Sequence, residues 1–271
     1  MKQLLTGVIA ALIAGPAFAD GPSRLPDGVV TKGMHDIAEA WLTLPTDRYG
    51  HGILGDKIEA GGLVVKLPIG ELVETVLPEE YVFEDRRVRL ADLDLDGHDE
   101  IIVVLSSLKQ GAALAVYGLR GGEVTKIAQT PHIGRANRWL NPAEIADLDG
   151  DGKPEIIAVW TPHLGGDVQA WDLTKGRMTM LASIAGYSNH IIGSRVQDMT
   201  GVVTLTDGRK ALAIPALTYD EIAFLTLRVG RFSEAARVPA GGRITSAVTL
   251  SKNGRQLEFA TGQARRSVLI P

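Results

Sequence analysis

Apolar runs rich in Val, Ile and Leu recur along this chain, each bounded by Gly, Pro, Asn or Asp. Runs of roughly 4–8 such residues between turn formers read as β-strands. The runs fall into groups. Residues 35–84 hold AEAWLTLP, HGILGD, GGLVVKLP and ELVETVLP, and residues 88–134 hold RVRLADL, EIIVVLS, AALAVYGL and EVTKIAQT. Residues 141–186 follow with PAEIADL, EIIAVWT, DVQAWDL and MTMLASI, and the stretch from residue 193 adds SRVQDMT, ALAIPAL, IAFLTLRV and FSEAARV. The last group, residues 242–271, has only ITSAVTL, LEFATGQ and SVLIP. The pattern predicts an all-β chain built from four-strand units.

Two of these units share a motif at their first turn. Residues 91–104 read ADLDLDGHDEIIVV, and residues 146–159 read ADLDGDGKPEIIAV. An internal repeat of this quality sets the architecture. Each copy puts carboxylates at positions 1, 3, 5 and 9: Asp92, Asp94, Asp96 and Glu100, then Asp147, Asp149, Asp151 and Glu155. Gly97 and Gly152 stand at position 6, where a loop around an ion turns sharply, as in the opening of an EF-hand loop. An apolar β-branched run follows instead of a helix, so the loop joins two strands. Four clustered carboxylates repel one another unless a hard dication binds them. Calcium suits this set, because it accepts about 6–8 oxygens in flexible geometry whereas magnesium demands an octahedron. The alternative is that the Asp-Gly pairs form solvated hairpin turns.

The pattern D-x-D-x-D-G-x-x-E entering an apolar strand resembles the FG-GAP or VCBS-type repeat of integrin α-chain propellers and many bacterial exported proteins. The resemblance is specific over residues 88–160. It implies a β-propeller whose blades are four-stranded and whose calcium ions sit between a blade's first two strands. Asp92, Asp94, Asp96 and Glu100 would then ligate one ion and Asp147, Asp149, Asp151 and Glu155 a second, with His98 and Lys153 giving backbone carbonyls. The repeat is a scaffold and implies little about activity.

On this reading the units are five blades, and residues 28–32, GVVTK, supply the strand missing from the last one, closing the ring and protecting its edges. A count of four or six would require a unit to be merged or split. The first, fourth and fifth units lack the alternating carboxylates, so two calcium sites are expected.

Residues 1–19, MKQLLTGVIAALIAGPAFA, have one Lys, an apolar stretch and Ala-Phe-Ala before Asp20. This predicts a secretory leader, with residues 20–271 forming a single domain in the periplasm or outside the cell. No other apolar stretch reaches spanning length. The net charge of −4 argues against a nucleic-acid partner, and the absence of Cys removes disulfides and thiolate catalysis.

A second cluster of residues lies in the links between units and in the loops after second strands. These are Asp47, Arg48, His51, Asn137, Arg138, Trp139, His163, Asn189 and His190. In a propeller such loops share one face, so these side chains are expected to form a ligand site at the mouth. Each also has a structural reading: Asn as a left-handed link residue, Arg138 paired with Asp47, Trp139 packed between blades. Two functions compete. One is a monomeric, non-catalytic binding module for a protein, glycan or small molecule. The other is a hydrolase, glycosidase-like, which would need two carboxylates about 5–10 Å apart at the same mouth.

Overall fold

The computed structural model describes residues 23–271, so the leader expected at residues 1–19 lies outside the described residues. Every regular element among them is a strand. The first unit is β1 (Thr31–Lys32), β2 (Glu39–Thr46), β3 (Glu59–Lys66) and β4 (Leu72–Val76), antiparallel in that order. After β5 (Tyr81–Phe83) comes the second unit: β6 (Arg89–Ala91), β7 (Glu100–Ser107), β8 (Gly111–Arg120) and β9 (Glu123–Gln129). β5 pairs with β7 and, through Phe83 opposite Ala60, with β3, which splices the two units into one nine-stranded sheet. The third unit is β10 (Leu140–Ala146), β11 (Glu155–Trp160), β12 (Asp167–Thr174) and β13 (Arg177–Ala185). The fourth is β14 (Gly201–Thr204), β15 (Lys210–Pro215), β16 (Glu221–Arg228) and β17 (Arg231–Pro239). A three-stranded sheet, β18 (Thr249–Leu250), β19 (Gln256–Thr261) and β20 (Ala264–Leu269), ends the chain.

The unit pattern is as expected, with three corrections. Residues 28–32 do not complete the last sheet: Thr31 and Lys32 pair with Ala40 and Glu39, so this strand opens the first unit and does not close a ring. HGILGD is a turn segment, because two glycines at positive φ, Gly52 and Gly55, bend it out of any ladder. In the fourth unit the first strand is GVVT, one step beyond SRVQDMT, whose residues serve the interior polar cluster described below.

The middle strands show why the units stack. β7 is buried along its whole length, and its side chains alternate between two cores. Ile101, Val103 and Leu105 pack with Leu42 and Leu63 of the first unit, while Ile102 and Val104 pack with Leu140 and Ile156 of the third. Ile157 and Val159 then meet Leu212 and Ile214 of the fourth unit, and Ala213 and Phe224 meet Leu257 and Phe259 of the last sheet. None of these cores joins the last sheet to the first. The repeat is also written in the irregularities: the outer strand pair carries a register shift at Val116/Tyr117, Ala170/Trp171 and Phe224/Leu225 in turn.

Candidate metal loops and mouth cavity

Each acidic loop connects the first two strands of its unit and is folded on its own backbone. In the first, Asp92 accepts hydrogen bonds from the Asp96 and Gly97 amides at 3.0 and 2.9 Å, and Asp96 accepts from the His98 amide at 2.9 Å. In the second, Asp147 accepts from Gly150 at 2.7 Å, Asp149 from Asp151 at 3.0 Å and Asp151 from Lys153 at 2.8 Å. Glu100 and Glu155 close the loops by accepting from the amides of Leu93 and Leu148 at 2.9 and 2.8 Å. Oxygens of Asp92, Asp94 and Glu100 lie within 4.8 Å of one another, as do those of Asp147, Asp149, Asp151 and Glu155. Both sets can hold a metal ion. Asp96 stands apart from the first set, and the His98 ring turns to Asp36 at 3.0 Å.

One atom tests the fit. Glu100 is fully buried and its Oε1 has no hydrogen-bond partner among the described residues; the Arg120 guanidinium stays 3.9 Å away. An unpaired buried carboxylate oxygen is costly, and a hard cation bound in the loop would give it a partner, so the residues present fit such an ion. Burial pushes the carboxyls of Glu100 and Glu155 up to about 7, with the neighbouring aspartates adding to the shift.

The second cluster converges in part. His51, Asn137, Arg138, Trp139 and His163, with Ile53, Thr161, Leu164 and Ile192, line a cavity of about 140 Å³. They come from the β2–β3, β9–β10, β11–β12 and β13–β14 connections. Both imidazoles are oriented from behind. His51 Nδ1 lies 2.5 Å from Glu84 Oε1, while the other oxygen of Glu84 accepts from the Ser106 hydroxyl. His163 Nε2 lies 3.0 Å from His190 Nδ1, and His190 Nε2 donates to the Ser194 carbonyl at 2.8 Å. With Nε2 of His190 committed as a donor, its Nδ1 accepts and His163 Nε2 donates. Burial lowers both rings to about 4, so they are neutral at pH 7. Trp139 stacks on His163 at 6.3 Å, is 2% exposed, and donates its indole N–H to the Glu84 carbonyl at 2.9 Å.

Other expected members lie elsewhere. Arg48 donates to the Tyr81 carbonyl, Asp47 is exposed, and neither lines the cavity. Arg138 reaches the Asn137 carbonyl at 2.9 Å and makes no ion pair with Asp47. Asn189 is fully buried in a polar cluster behind the mouth: its amide donates to Asn141 O at 3.2 Å, the Asn141 amide donates to Gln197 O at 3.0 Å, and Gln197 donates to Asp85 at 2.9 Å. The sequence reading missed Glu59, Glu84, Asp85, Asn141 and Gln197. Burial pushes Glu59 up to about 10, reinforced by the Glu84, Asp56 and Asp85 carboxylates, and raises Glu84 as well. Two acids directly after the apolar run YVF were the available signal for Glu84 and Asp85.

Among the described residues no helix is long and apolar enough to cross a membrane. No curated protein matches the chain. Residues 88–158, which contain both acidic loops and the strands they join, match the FG-GAP-like repeat, so the chain carries this repeat.

Proposed function

We propose that the protein is an exported, calcium-stabilised, non-catalytic binding module that takes its ligand at the mouth cavity. Its units are the five blades of a propeller-like, monomeric domain over residues 20–271, delivered to the periplasm or beyond by the leader at residues 1–19. The observation that carries the binding reading is the meeting of His51, Asn137, Arg138, Trp139 and His163, far apart in sequence, on one cavity. The nearby acids favour binding over hydrolysis: Glu84 is fully buried with both oxygens engaged, and Glu59 is 3% exposed. A glycosidase acid must reach its substrate.

Asp92, Asp94 and Glu100 hold one calcium ion, with Asp96, which stands apart from them, turning in to join, and Asp147, Asp149, Asp151 and Glu155 hold another; the His98 and Lys153 carbonyls complete the shells. A bound dication offsets much of the mutual repulsion within each carboxylate set and locks the loop between two strands. At about ten times the dissociation constant, each site contributes roughly 1.4 kcal/mol. Calorimetric titration is expected to find two calcium ions, and one in each of Asp94→Ala and Asp149→Ala, with chelation lowering the melting temperature. Two ions bound to both variants would contradict the ligand assignment.

A further inference from the structure

We propose that the mouth cavity and its neighbour form one groove that binds an extended peptide segment of a partner protein, with apolar side chains flanked by acidic ones. This rests on the binding reading above and names its ligand class. Beside the mouth lies a second cavity of about 240 Å³, lined by Pro162, Ile191, Leu217, Tyr219 and Arg243. His163 and Ile192 line both cavities, so the two share a wall.

Three observations select the occupant. First, Leu164 is 64% exposed, Ile192 66% and Leu217 37%, an apolar group that remains in water until something covers it. Second, the two linings hold two arginines, Arg138 and Arg243, and no acid, and among the described residues neither arginine enters an ion pair. Arg138 reaches its neighbour's carbonyl, and the Arg243 guanidinium lies 4.4 Å over the Tyr219 ring. In a chain of net charge −4 this is a local basic surface, and two free guanidinium forks suit carboxylates. Third, each cavity is smaller than the roughly 300–1,000 Å³ usual for a drug-sized ligand, so each takes one side chain. A sugar is disfavoured because Trp139, the one tryptophan at the mouth, is 2% exposed and offers no face for stacking.

Fluorescence anisotropy on the whole protein tests this with labelled heptapeptides in which Ile and Leu, one or two residues apart, lie between Glu residues. Control peptides carry Lys for Glu, or Ser for Ile and Leu. The Glu peptides are expected to bind about tenfold or more tightly than either control. Arg138→Glu combined with Arg243→Glu is expected to invert the preference towards the Lys peptides. Ile192→Asp should abolish binding while leaving the thermal melt nearly unchanged, as exposed substitutions usually do. Equal affinity for Glu and Lys peptides, or a double variant that behaves like the parent, overturns the proposal. Failure of a folded protein to bind any peptide also overturns it. If glycans or small organic acids then raise the melting temperature and Ile192→Asp cancels that rise, the binding module stands and only the ligand class falls. If nothing raises it, both fall.

Discussion

Leu95 and Gly150 occupy equivalent places in the two acidic loops, and both have left-handed backbone, with φ of 62° and 86°. Glycine adopts this region freely, whereas a side chain with a Cβ costs about 1–2 kcal/mol there. Leu95 is 57% exposed, so its side chain recovers little by burial. Part of the strain relief is offset by the larger entropy that glycine loses on folding. Leu95→Gly is therefore expected to stabilise the protein by about 0.5–1 kcal/mol, read as a higher urea midpoint at fixed calcium. An unchanged or lower midpoint would mean that Leu95 makes a contact worth its strain. The mouth has the same feature: Asn137 and Thr161 have φ of 54° and 46°. Asn tolerates this conformation, but a β-branched threonine there is an outlier of the kind found beside binding sites.

At the scale of elements, β5 shows what local sequence conveys and what it does not. The strands of the second and third units were legible because EIIVV and EIIAV are apolar, β-branched and framed by turn formers. YVF looks like any short apolar piece, and its role as a splice comes from pairing to β3 and β7 at once, a long-range fact. The partner of GVVTK was misread for the same reason: a short strand pairs equally well on paper with the first unit or with the last. The clustering of the loop carboxylates was legible because they lie within one short stretch of chain, although Asp96 stands outside the first cluster. The mouth was legible only in part, since Glu84 and Gln197, which back it from the interior, do so through tertiary contact alone. Phe83 is fully buried in the core between the first two units, with its ring edge-on to Tyr117 at 5.7 Å. Phe83→Ala is expected to cost about 3–5 kcal/mol in denaturant melts, because the splice cannot collapse onto the space left behind. A loss below about 1 kcal/mol, the scale of an ordinary surface change, would show that the two units hold together without it.

At the scale of the whole molecule, the polar cluster ties the units together. Gly193 in the link into the fourth unit donates to Ile53 O of the first at 2.9 Å, and Arg195 pairs with Asp27 and Asp56. Gathering so many carboxylates in the interior has a titration consequence that one variant isolates. Glu59 is 3% exposed and pushed up to about 10, so the folded protein keeps its proton over a range where the unfolded chain, titrating near 4.5, has released it. A folded-state pKa above the unfolded value gives stability that is complete below about 4.5 and is lost as pH rises towards 10, by up to about 1.4 kcal/mol per pH unit for one proton. His163 and His190 have the opposite sign: lowered to about 4, they are held neutral when folded, and their contribution is lost as pH falls from about 6.5 through 4. Glu59→Gln removes only the first of these dependences. Any packing or hydrogen-bonding change at the new amide shifts stability equally at every pH, so the slope identifies the proton. Urea melts of the variant and parent at pH 5, 6, 7, 8 and 9 are expected to diverge steadily in the variant's favour as pH rises. Parallel curves would mean that Glu59 is already ionised in the folded protein across this range.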